Sequence, residues 1–330
     1  MRAFYERIRN RLLRPAVSDQ NAMPPATSLE RARANKELRT RNEIAHFSKA
    51  YRMPMHTTKA KRNAYAMAQQ IIQRRSIPKP VQFAVRAKEL ARDRSLRVLT
   101  VCCGRAATER MIFTDVAHRP RITLVDINQD LLNMAAENLA SVADTTFICG
   151  DANEIKLPAG EFDVAMCVAG LHHIVELEHL IGQLAGCLKP DGEFWSIGEY
   201  AGRTGARLWP DSYEIADEIF AALPEKYRYN NIFRTHDEHL RNVDCSEATF
   251  EGIRADEIIE ILGEHFESVH VDRWSTIAWR IIGPAYVDNY DLDDDEDRAI
   301  VERIANLDAD YFLSGRLQPV GLKGIYRPRS

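Results

Sequence analysis

The sequence predicts an α/β fold: a doubly wound, seven-stranded sheet with a helical N-terminal extension and an insertion after the fifth strand. From residue 97 onward, short apolar runs alternate with helical segments of about 10–15 residues, which is typical of a parallel sheet covered by helices on both faces. The alternation stops after Tyr200 and resumes near residue 255 with two late strands. The 330-residue chain is 45% hydrophobic, so it can supply the large core that such a sheet needs.

The chain before residue 97 is predicted to be mostly helical, with few apolar anchors. Pro78 and Pro80 mark a break within it, because proline cannot continue a helix. The predicted segments are a basic helix over 1–14, a linker over 15–28, and helices from residue 28 to about 50, over 58–75 and over 81–93. We assign 1–84 to an N-terminal arm and lid, and 85–330 to the main domain.

Five short apolar runs are the predicted strands of a βα series. The strands lie over 97–102, 122–126, 146–149, 162–168 and 193–199, and the helices over 106–117, 128–140 and 175–188. Lys189-Pro190-Asp191-Gly192 is a turn signal before the fifth strand. After an insertion at about 201–255, which contains a helix near 211–222, we expect a helix over 255–264, a strand over 266–273, a helix over 294–313 and a strand over 319–326. Five βα strands closed by a late hairpin-like pair make a Rossmann-like, seven-stranded sheet.

Charge and cysteine content narrow the class of protein. Residues 1–75 carry 17 Lys and Arg against five Asp and Glu, although the net charge of the chain is −4. The charged runs of this arm are not interleaved with aromatic side chains, so a solvated helical extension is favoured over nucleic-acid binding. The six cysteines form no C-x-x-C pair, which predicts buried free thiols and no metal site. Without a membrane-length apolar run or a secretory signal, we expect a cytoplasmic protein, and a homo-oligomer stays open.

Two loops at the start of the sheet are predicted to bind a nucleoside. Open α/β sheets bind ligands at the carboxyl ends of their strands, near the point where the strand order reverses. Gly104 and Ala106 are small, so the turn after the first strand lets a ligand approach the backbone. Asp126 ends the second strand, 22 residues beyond Gly104, and an acid at that spacing can accept both ribose hydroxyls. A helix N-cap is the alternative role for Asp126.

The loops after the third and fourth strands complete the predicted site. Asp151 can accept a hydrogen bond from the exocyclic amine of adenine, or it can serve as a turn residue. His172 and His173 follow the fourth strand, where the reacting group is expected. An imidazole can take up a proton near neutral pH, whereas the alternative is a structural histidine that binds a neighbouring loop.

Together these residues resemble the class I S-adenosylmethionine-dependent methyltransferases. "RVLTVCCGRA" resembles the family's V-L-D-x-G-C-G-x-G loop, "LVDIN" its ribose-binding acid, "CGDANEIKLP" its adenine-binding acid and "FDVAMCVAGLHHI" its fourth strand. The resemblance is close over about 97–200. Through "EYAGRTGARLWPDSYEIADEIF" and "EGIRADEIIEILGEHFE" it extends to roughly residue 330, toward a bacterial subgroup associated with polysaccharide or glycoconjugate biosynthesis. It implies that S-adenosylmethionine contacts Cys102, Gly104, Asp126, Ile127, Asp151, Ala152, Val168 and Ala169.

The resemblance also implies methyl transfer to a small-molecule or glycan acceptor, which we expect at oxygen. A hydroxyl nucleophile must lose its proton, and a general base typically contributes about 10²–10⁴-fold to the rate. His173 is favoured over His172 as this base, and Glu199, at the end of the fifth strand, is expected to orient it or to hold the acceptor. The expected substrate-binding residues are Tyr51, His56, Tyr200 and Trp209. Residues 45–80, which include Phe47 and Met55, are expected to close over the cofactor as a lid.

Two departures from the family pattern bear on the cofactor. Thr100 stands where the family has an acid that helps to hold the methionine amino group, and Glu109 or Glu199 is the candidate substitute. Cys102 stands at the first loop glycine, and a residue with a Cβ disfavours positive φ. Transfer of the cofactor's aminocarboxypropyl chain, its cyclisation, or a non-catalytic protein of the same fold are the alternatives that the sequence leaves open.

Overall fold

The computed structural model describes residues 26–33, 36–52, 63–247 and 249–329, except for the side chains of 26–28, 31 and 46–52. The helix predicted over 1–14 and the residues Met55 and His56 lie outside this part of the chain, and so do the side chains of Phe47 and Tyr51. Within the described ranges, no helix combines the length and the apolar character needed to cross a bilayer.

The strands and helices follow the predicted order with small shifts at their ends. The strands are β1 (Arg97–Val101), β2 (Arg121–Asp126), β3 (Asp144–Cys149), β4 (Phe162–Val168), β5 (Leu188–Tyr200), β6 (Tyr229–Asn230), β7 (Thr235–His236), β8 (Phe266–Trp274) and β9 (Gly321–Pro328). The α-helices are α1 (Ala26–Arg33), α2 (Lys36–Arg52), α3 (Ala64–Ser76), α4 (Phe83–Leu90), α5 (Ala107–Phe113), α6 (Gln129–Leu139), α7 (Leu177–Cys187), α8 (Pro210–Ala221), α9 (Ile258–His265), α10 (Ala278–Ile281) and α11 (Asp295–Leu313). The predicted linker ends earlier than expected, because α1 already begins at Ala26.

The large sheet has seven strands in the spatial order β3-β2-β1-β4-β5-β9-β8. Strands β1 to β5 are parallel, and β9 pairs antiparallel with both β5 and β8. This confirms the predicted doubly wound sheet with its late antiparallel pair. The strand order reverses between β1 and β4, so the carboxyl ends of these two strands flank a crevice.

Burial differs between the central strands and the edge. Strand β4 is buried along nearly its whole length, as expected for a parallel strand covered on both faces, whereas the edge strand β3 is mostly exposed. The prediction of buried thiols is confirmed for Cys103, Cys167 and Cys187 but is wrong for Cys149, which is exposed at the end of β3. Cys102 and Cys245 are only partly buried.

The predicted turn at 189–192 lies inside β5. Phe162 of β4 pairs with Leu188, and Val164 pairs with Glu193, so the intervening residues of β5 bulge out of the ladder. Turn residues are accommodated as a bulge because the residues on both sides of them still pair with β4.

Helix α3 packs against the C-terminal half of the chain and contributes no residue to the cavity at the ends of β1 to β4. Asn63 caps it by accepting from the backbone N–H of Tyr65 at 2.9 Å. Ala64, Ala68 and Ile72 are buried in a cluster with α8, α10 and α11. Residues 64–76 of the expected lid are therefore core residues of the C-terminal half, because small and aliphatic side chains four apart form one apolar stripe.

Helices α1 and α2 lie against the loops that follow β3 and β4. The guanidinium of Arg33 forms two hydrogen bonds with the carboxylate of Glu176, at 2.6 and 2.7 Å. The ammonium of Lys36 lies 3.0 Å from Asp151 and 2.7 Å from Glu154. Partly exposed ion pairs of this kind contribute at most about 1 kcal/mol each, so they position the arm without fixing it strongly.

Candidate active site

A cavity of about 530 Å³ lies at the carboxyl ends of β1 to β4, where the strand order reverses. Helix α2 contributes Thr40, Glu43 and Ile44 to its wall, and both predicted catalytic histidines line it. The residues with predicted cofactor contacts all lie in the same wall, namely Cys102, Gly104, Asp126, Ile127, Asp151, Ala152, Val168 and Ala169.

The first loop keeps a backbone conformation that favours glycine, although only one glycine is present. Its φ angles are +53° at Cys102, +51° at Gly104 and +54° at Ala106. A left-handed residue with a Cβ costs roughly 1–2 kcal/mol, so Cys102 and Ala106 are strained. Gly170 makes room for Cys102, because a Cβ on Gly170 would lie 2.6 Å from the Cβ of Cys102. The substitution of the loop glycine has therefore left the backbone turn in place.

The carboxylate of Asp126 ties the first two loops together. Its Oδ2 accepts the N–H of Gly104 at 2.9 Å, and its Oδ1 accepts the N–H of Asn128 at 2.9 Å. Burial raises the pKa of Asp126 above its ordinary value, and the two backbone donors only partly offset this. Asn128, which accepts from the N–H of Asp130, is the N-cap of α6. Since a carboxylate has about four lone-pair sites, Asp126 keeps acceptor capacity toward the cavity.

Asp151 is held by donors on two sides. Its Oδ1 accepts from the backbone N–H of Asn153 at 2.9 Å and from the side-chain amide of Asn153 at 2.7 Å. Its Oδ2 lies 3.0 Å from the ammonium of Lys36. Burial alone would raise the pKa of Asp151, but these donors and the lysine charge hold it below the ordinary value. The turn role considered from sequence is thus present, together with a contact to α2.

Glu109 is a buried carboxyl group at the cavity. It lies in the first turn of α5, lines the cavity and is only 1% exposed. Its Oε1 has no hydrogen-bond partner among the described residues. Burial raises the pKa of Glu109 to about 7. Thr100, which stands at the family's acidic position, is also buried, and its hydroxyl likewise has no partner among those residues.

Glu199 holds the loop that carries the histidines. It is buried at the end of β5 and accepts the N–H groups of Gly170 at 3.1 Å and Leu171 at 2.9 Å. Its Oε1 contacts Nδ1 of His172. Burial lowers the pKa of His172, but the charge of Glu199 outweighs this and raises it overall. Burial raises the pKa of Glu199, yet His172 and the N–H donors bring it below its ordinary value.

His173 has a carboxylate partner of its own. Its Nδ1 lies 2.6 Å from Oε1 of Glu43 on α2. Glu251 approaches both imidazoles from the insertion, with its carboxylate oxygens 3.7 Å from Nε2 of His172 and 3.6 Å from Nε2 of His173. Glu43 and Glu251 were not identified from sequence, because the arm and the insertion contain no motif that marks them.

Two of the four predicted substrate-binding residues can be placed, and neither lies in the wall of this cavity. Tyr200 and Trp209 are absent from its wall. The ring of Tyr200 lies 6.1 Å from that of His172, and its hydroxyl lies 3.0 Å from the carbonyl oxygen of Arg203. Trp209 precedes the first residue of α8 and is its N-cap. The side chain of Tyr51 and the whole of His56 are outside the described residues.

Comparisons with known proteins identify the central part of the chain. A family model described as a methyltransferase domain matches residues 98–192. The demethylmenaquinone methyltransferase of Listeria welshimeri is 26% identical over 107 residues, which are 32% of this chain and 45% of that protein. The chain thus spans about half the length of the curated relatives it matches.

Two solved structures are similar over more of the chain. The [4+2]-cyclase SpnF is 16% identical, with 81% of each chain covered and a TM-score of 0.41. An S-adenosylmethionine-dependent methyltransferase from Mesorhizobium loti is 17% identical, with 71% of this chain and 91% of that chain covered and a TM-score of 0.37.

The strand order, the cavity at the strand ends and the domain match define the class. Residues 98–192 match a methyltransferase domain, and the sheet has the Rossmann-like topology that the sequence predicted. The domain and its cavity support S-adenosylmethionine as the cofactor.

Proposed function

We propose that the protein transfers a methyl group from S-adenosylmethionine to an oxygen atom of a small-molecule or glycan acceptor. The observation that carries this proposal is the pair His172 and His173, which line the cavity just beyond β4 and each have a carboxylate at Nδ1. A carboxylate at Nδ1 holds the proton there and leaves Nε2 as the basic nitrogen. This arrangement suits removal of a proton from a hydroxyl group.

The cavity offers groups for each part of the cofactor. Asp126 has lone pairs left for the two ribose hydroxyls, and Asp151 with Ala152 lies where the adenine is expected. Glu109 is proposed to hold the methionine ammonium, since its buried Oε1 has no hydrogen-bond partner among the described residues and would gain from a cation. Glu109 is favoured over Glu199 for that role, because Glu199 is not in the cavity wall and already accepts several N–H groups.

S-adenosylmethionine supplies an electrophilic methyl carbon on a sulfonium that is already activated for displacement. The chain must therefore chiefly align the acceptor and take its proton, and alignment can supply several kcal/mol. His173 is the proposed base, because 16% of its side chain stays exposed, against 8% for His172. Glu199 positions His172 and the loop before it.

The proposed acceptor class rests on the subgroup resemblance of the insertion, which points to polysaccharide or glycoconjugate biosynthesis. The named relatives match only through a segment of about 107 residues, so their own acceptor gives no argument for this chain. Tyr200 and Trp209 flank the start of the insertion and stay proposed acceptor contacts, as do Tyr51 and His56.

The N-terminal arm, proposed as residues 1–84, is assigned a covering role over the main domain of 85–330. Glu43 and Ile44 of α2 lie in the cavity wall, and Lys36 reaches Asp151. A cover of this kind excludes water from a displacement reaction. The covering part among the described residues is therefore α2 rather than α3.

The decisive experiment is mass spectrometry of the full chain incubated with S-adenosylmethionine and candidate hydroxylated acceptors. Methyl transfer yields S-adenosylhomocysteine and an acceptor heavier by one methylene. Methylthioadenosine as the by-product would instead mean side-chain transfer or cyclisation. The absence of cofactor binding and of any by-product would contradict an enzymatic role.

A further inference from the structure

We propose that His172, His173 and Glu251 bind a divalent transition-metal ion beside the cavity, at the loop that follows β4. The binding itself goes beyond the proposed function. Only the role given to the ion below rests on that function. Sequence analysis predicted no metal site, because Glu251 lies far from the histidines along the chain and the cysteines carry no ligand spacing.

The three side chains present ligand atoms to a common point. One ligand atom from each of them lies within 4.8 Å of the others. The contacts of 3.7 and 3.6 Å between the Nε2 atoms and Glu251 are too long for hydrogen bonds. Ligand atoms bound at about 2.0–2.2 Å to one ion lie roughly 3–3.5 Å apart, so the two contacts with Glu251 would shorten by only a few tenths of an ångström.

Each imidazole is oriented as metal-binding histidines usually are. Nδ1 of His172 contacts the buried Glu199, and Nδ1 of His173 lies 2.6 Å from Glu43. Metal-bound histidines commonly donate their second N–H to a carboxylate, which fixes the ring and raises its basicity. Nδ1 of each ring therefore faces a carboxylate, and each Nε2 lies within 3.7 Å of a carboxylate oxygen of Glu251.

The charge of the cluster also favours a cation. The three carboxylates of Glu43, Glu199 and Glu251 outnumber the two imidazoles that they surround, so the cluster has an excess of negative charge. A divalent ion offsets most of that charge.

Three protein ligands are typical of catalytic rather than structural sites. Structural sites use four ligands, whereas a site with two histidines and one carboxylate leaves positions open for water or substrate. Imidazole and carboxylate ligands suit Zn²⁺, Mn²⁺, Co²⁺ or Fe²⁺ rather than Ca²⁺. The side chain of Glu251 is 46% exposed, so an ion has a route into the site.

If the protein methylates oxygen as proposed, the open position takes the acceptor hydroxyl. A hydroxyl bound to a divalent ion has a lowered pKa and loses its proton to water more readily. In the metal-bound protein the histidines are then ligands, and the ion replaces His173 as the group that activates the nucleophile.

The test is metal binding by the full chain after removal of bound ions with a chelator. Titration with Co²⁺ is followed by its visible absorption, and titration with Zn²⁺ by calorimetry. We expect one equivalent to bind, and we expect His173→Ala and Glu251→Gln each to lower the affinity at least about tenfold, since even loss of an outer-shell partner costs 10–100-fold. Glu247→Gln and His118→Ala, which change exposed residues nearby and elsewhere, should leave it unchanged.

Failure to bind either ion in a folded, chelator-treated protein would overturn the metal site. Binding that both His173→Ala and Glu251→Gln leave unchanged would overturn it too, because the ion would sit elsewhere. Methyl transfer by a protein that binds no metal would overturn the metal site and support the proposed function. Metal binding by a protein that transfers no methyl group would support the metal site and contradict the proposed function.

Discussion

The backbone N–H of Gly104 donates to Oδ2 of Asp126 at 2.9 Å, so the end of β2 holds the loop that follows β1. The other carboxylate oxygen accepts the N–H of Asn128, also at 2.9 Å. Asp126 thus has a structural role in addition to its proposed role as the ribose ligand. Its substitution is expected to affect both loops that surround the nucleoside.

Asp126→Ala should lower the affinity for S-adenosylmethionine by at least about tenfold. Two hydrogen bonds to a charged acceptor are lost, and each is worth roughly 1.5–3 kcal/mol. Calorimetry measures the affinity, and thermal unfolding verifies that the variant is folded. Asp130→Ala is the matched control, since Asp130 belongs to the same turn but is not in the cavity wall. Equal affinities of Asp126→Ala and the wild type would contradict the ribose assignment.

Because of Glu109, the free energy of unfolding should decrease as the pH rises from about 4.5 to 7. Its folded pKa of about 7 is above the value of 4.5 in the unfolded chain, so the folded state binds more protons in this window. The protonated Glu109 side chain favours the folded state at low pH, and this contribution is lost as the pH rises. The whole shift corresponds to about 3 kcal/mol, as an upper value.

Urea unfolding of wild type and Glu109→Gln at pH 5 and pH 8 checks this. The wild type should lose about 2–3 kcal/mol more than the variant between these two pH values. Saturating S-adenosylmethionine should reduce that difference, because its ammonium group would stabilise the ionised carboxylate. Parallel pH dependence of the two proteins without cofactor would mean that Glu109 does not titrate in this range.

Ala106→Gly should stabilise the protein slightly, by up to about 1 kcal/mol. The strain of a left-handed alanine, roughly 1–2 kcal/mol, is removed, while the greater freedom of glycine in the unfolded chain offsets part of the gain. Ala107→Gly, one residue later in α5, should have the opposite sign and cost about 0.5–1 kcal/mol. Chemical denaturation measures the free energy of unfolding of both variants. Destabilisation of equal size in the two would exclude strain at Ala106.

The sequence predicted the sheet in full because its signals are local. Apolar runs and the turn residues between them give each strand, and the strand ends place Asp126, Asp151 and His172 at one edge. The contacts made by Glu43 and Glu251 could not be predicted, because they depend on how the arm and the insertion pack on that edge. Helix α3 was assigned to the lid for the same reason, since its stripe of small residues does not reveal its partner.

The covering role of α2 predicts that cofactor protects the arm from proteolysis. Trypsin should cut within 26–52 in the free protein and more slowly when S-adenosylmethionine is bound, because the cofactor fills the cavity that α2 covers. Lys36→Ala removes the contacts with Asp151 and Glu154 and should speed the cutting of the free protein. Mass spectrometry locates the cuts. Identical cutting rates with and without cofactor would rule out a cofactor-dependent cover.

Substitution of the two histidines tests the proposed chemistry. If His173 is the base for a hydroxyl acceptor, His173→Ala should lower turnover by about a hundredfold or more, since a base contributes about 10²–10⁴-fold. His172→Ala should have a smaller effect on turnover and a larger one on stability, because it leaves the buried Glu199 without its imidazole partner. Cofactor affinity is measured separately for each variant, and the exposed His118→Ala is the control. An amine acceptor that arrives neutral needs no strong base, so near-normal turnover in both histidine variants would mean that alignment alone accelerates the reaction and that the catalytic assignment is wrong.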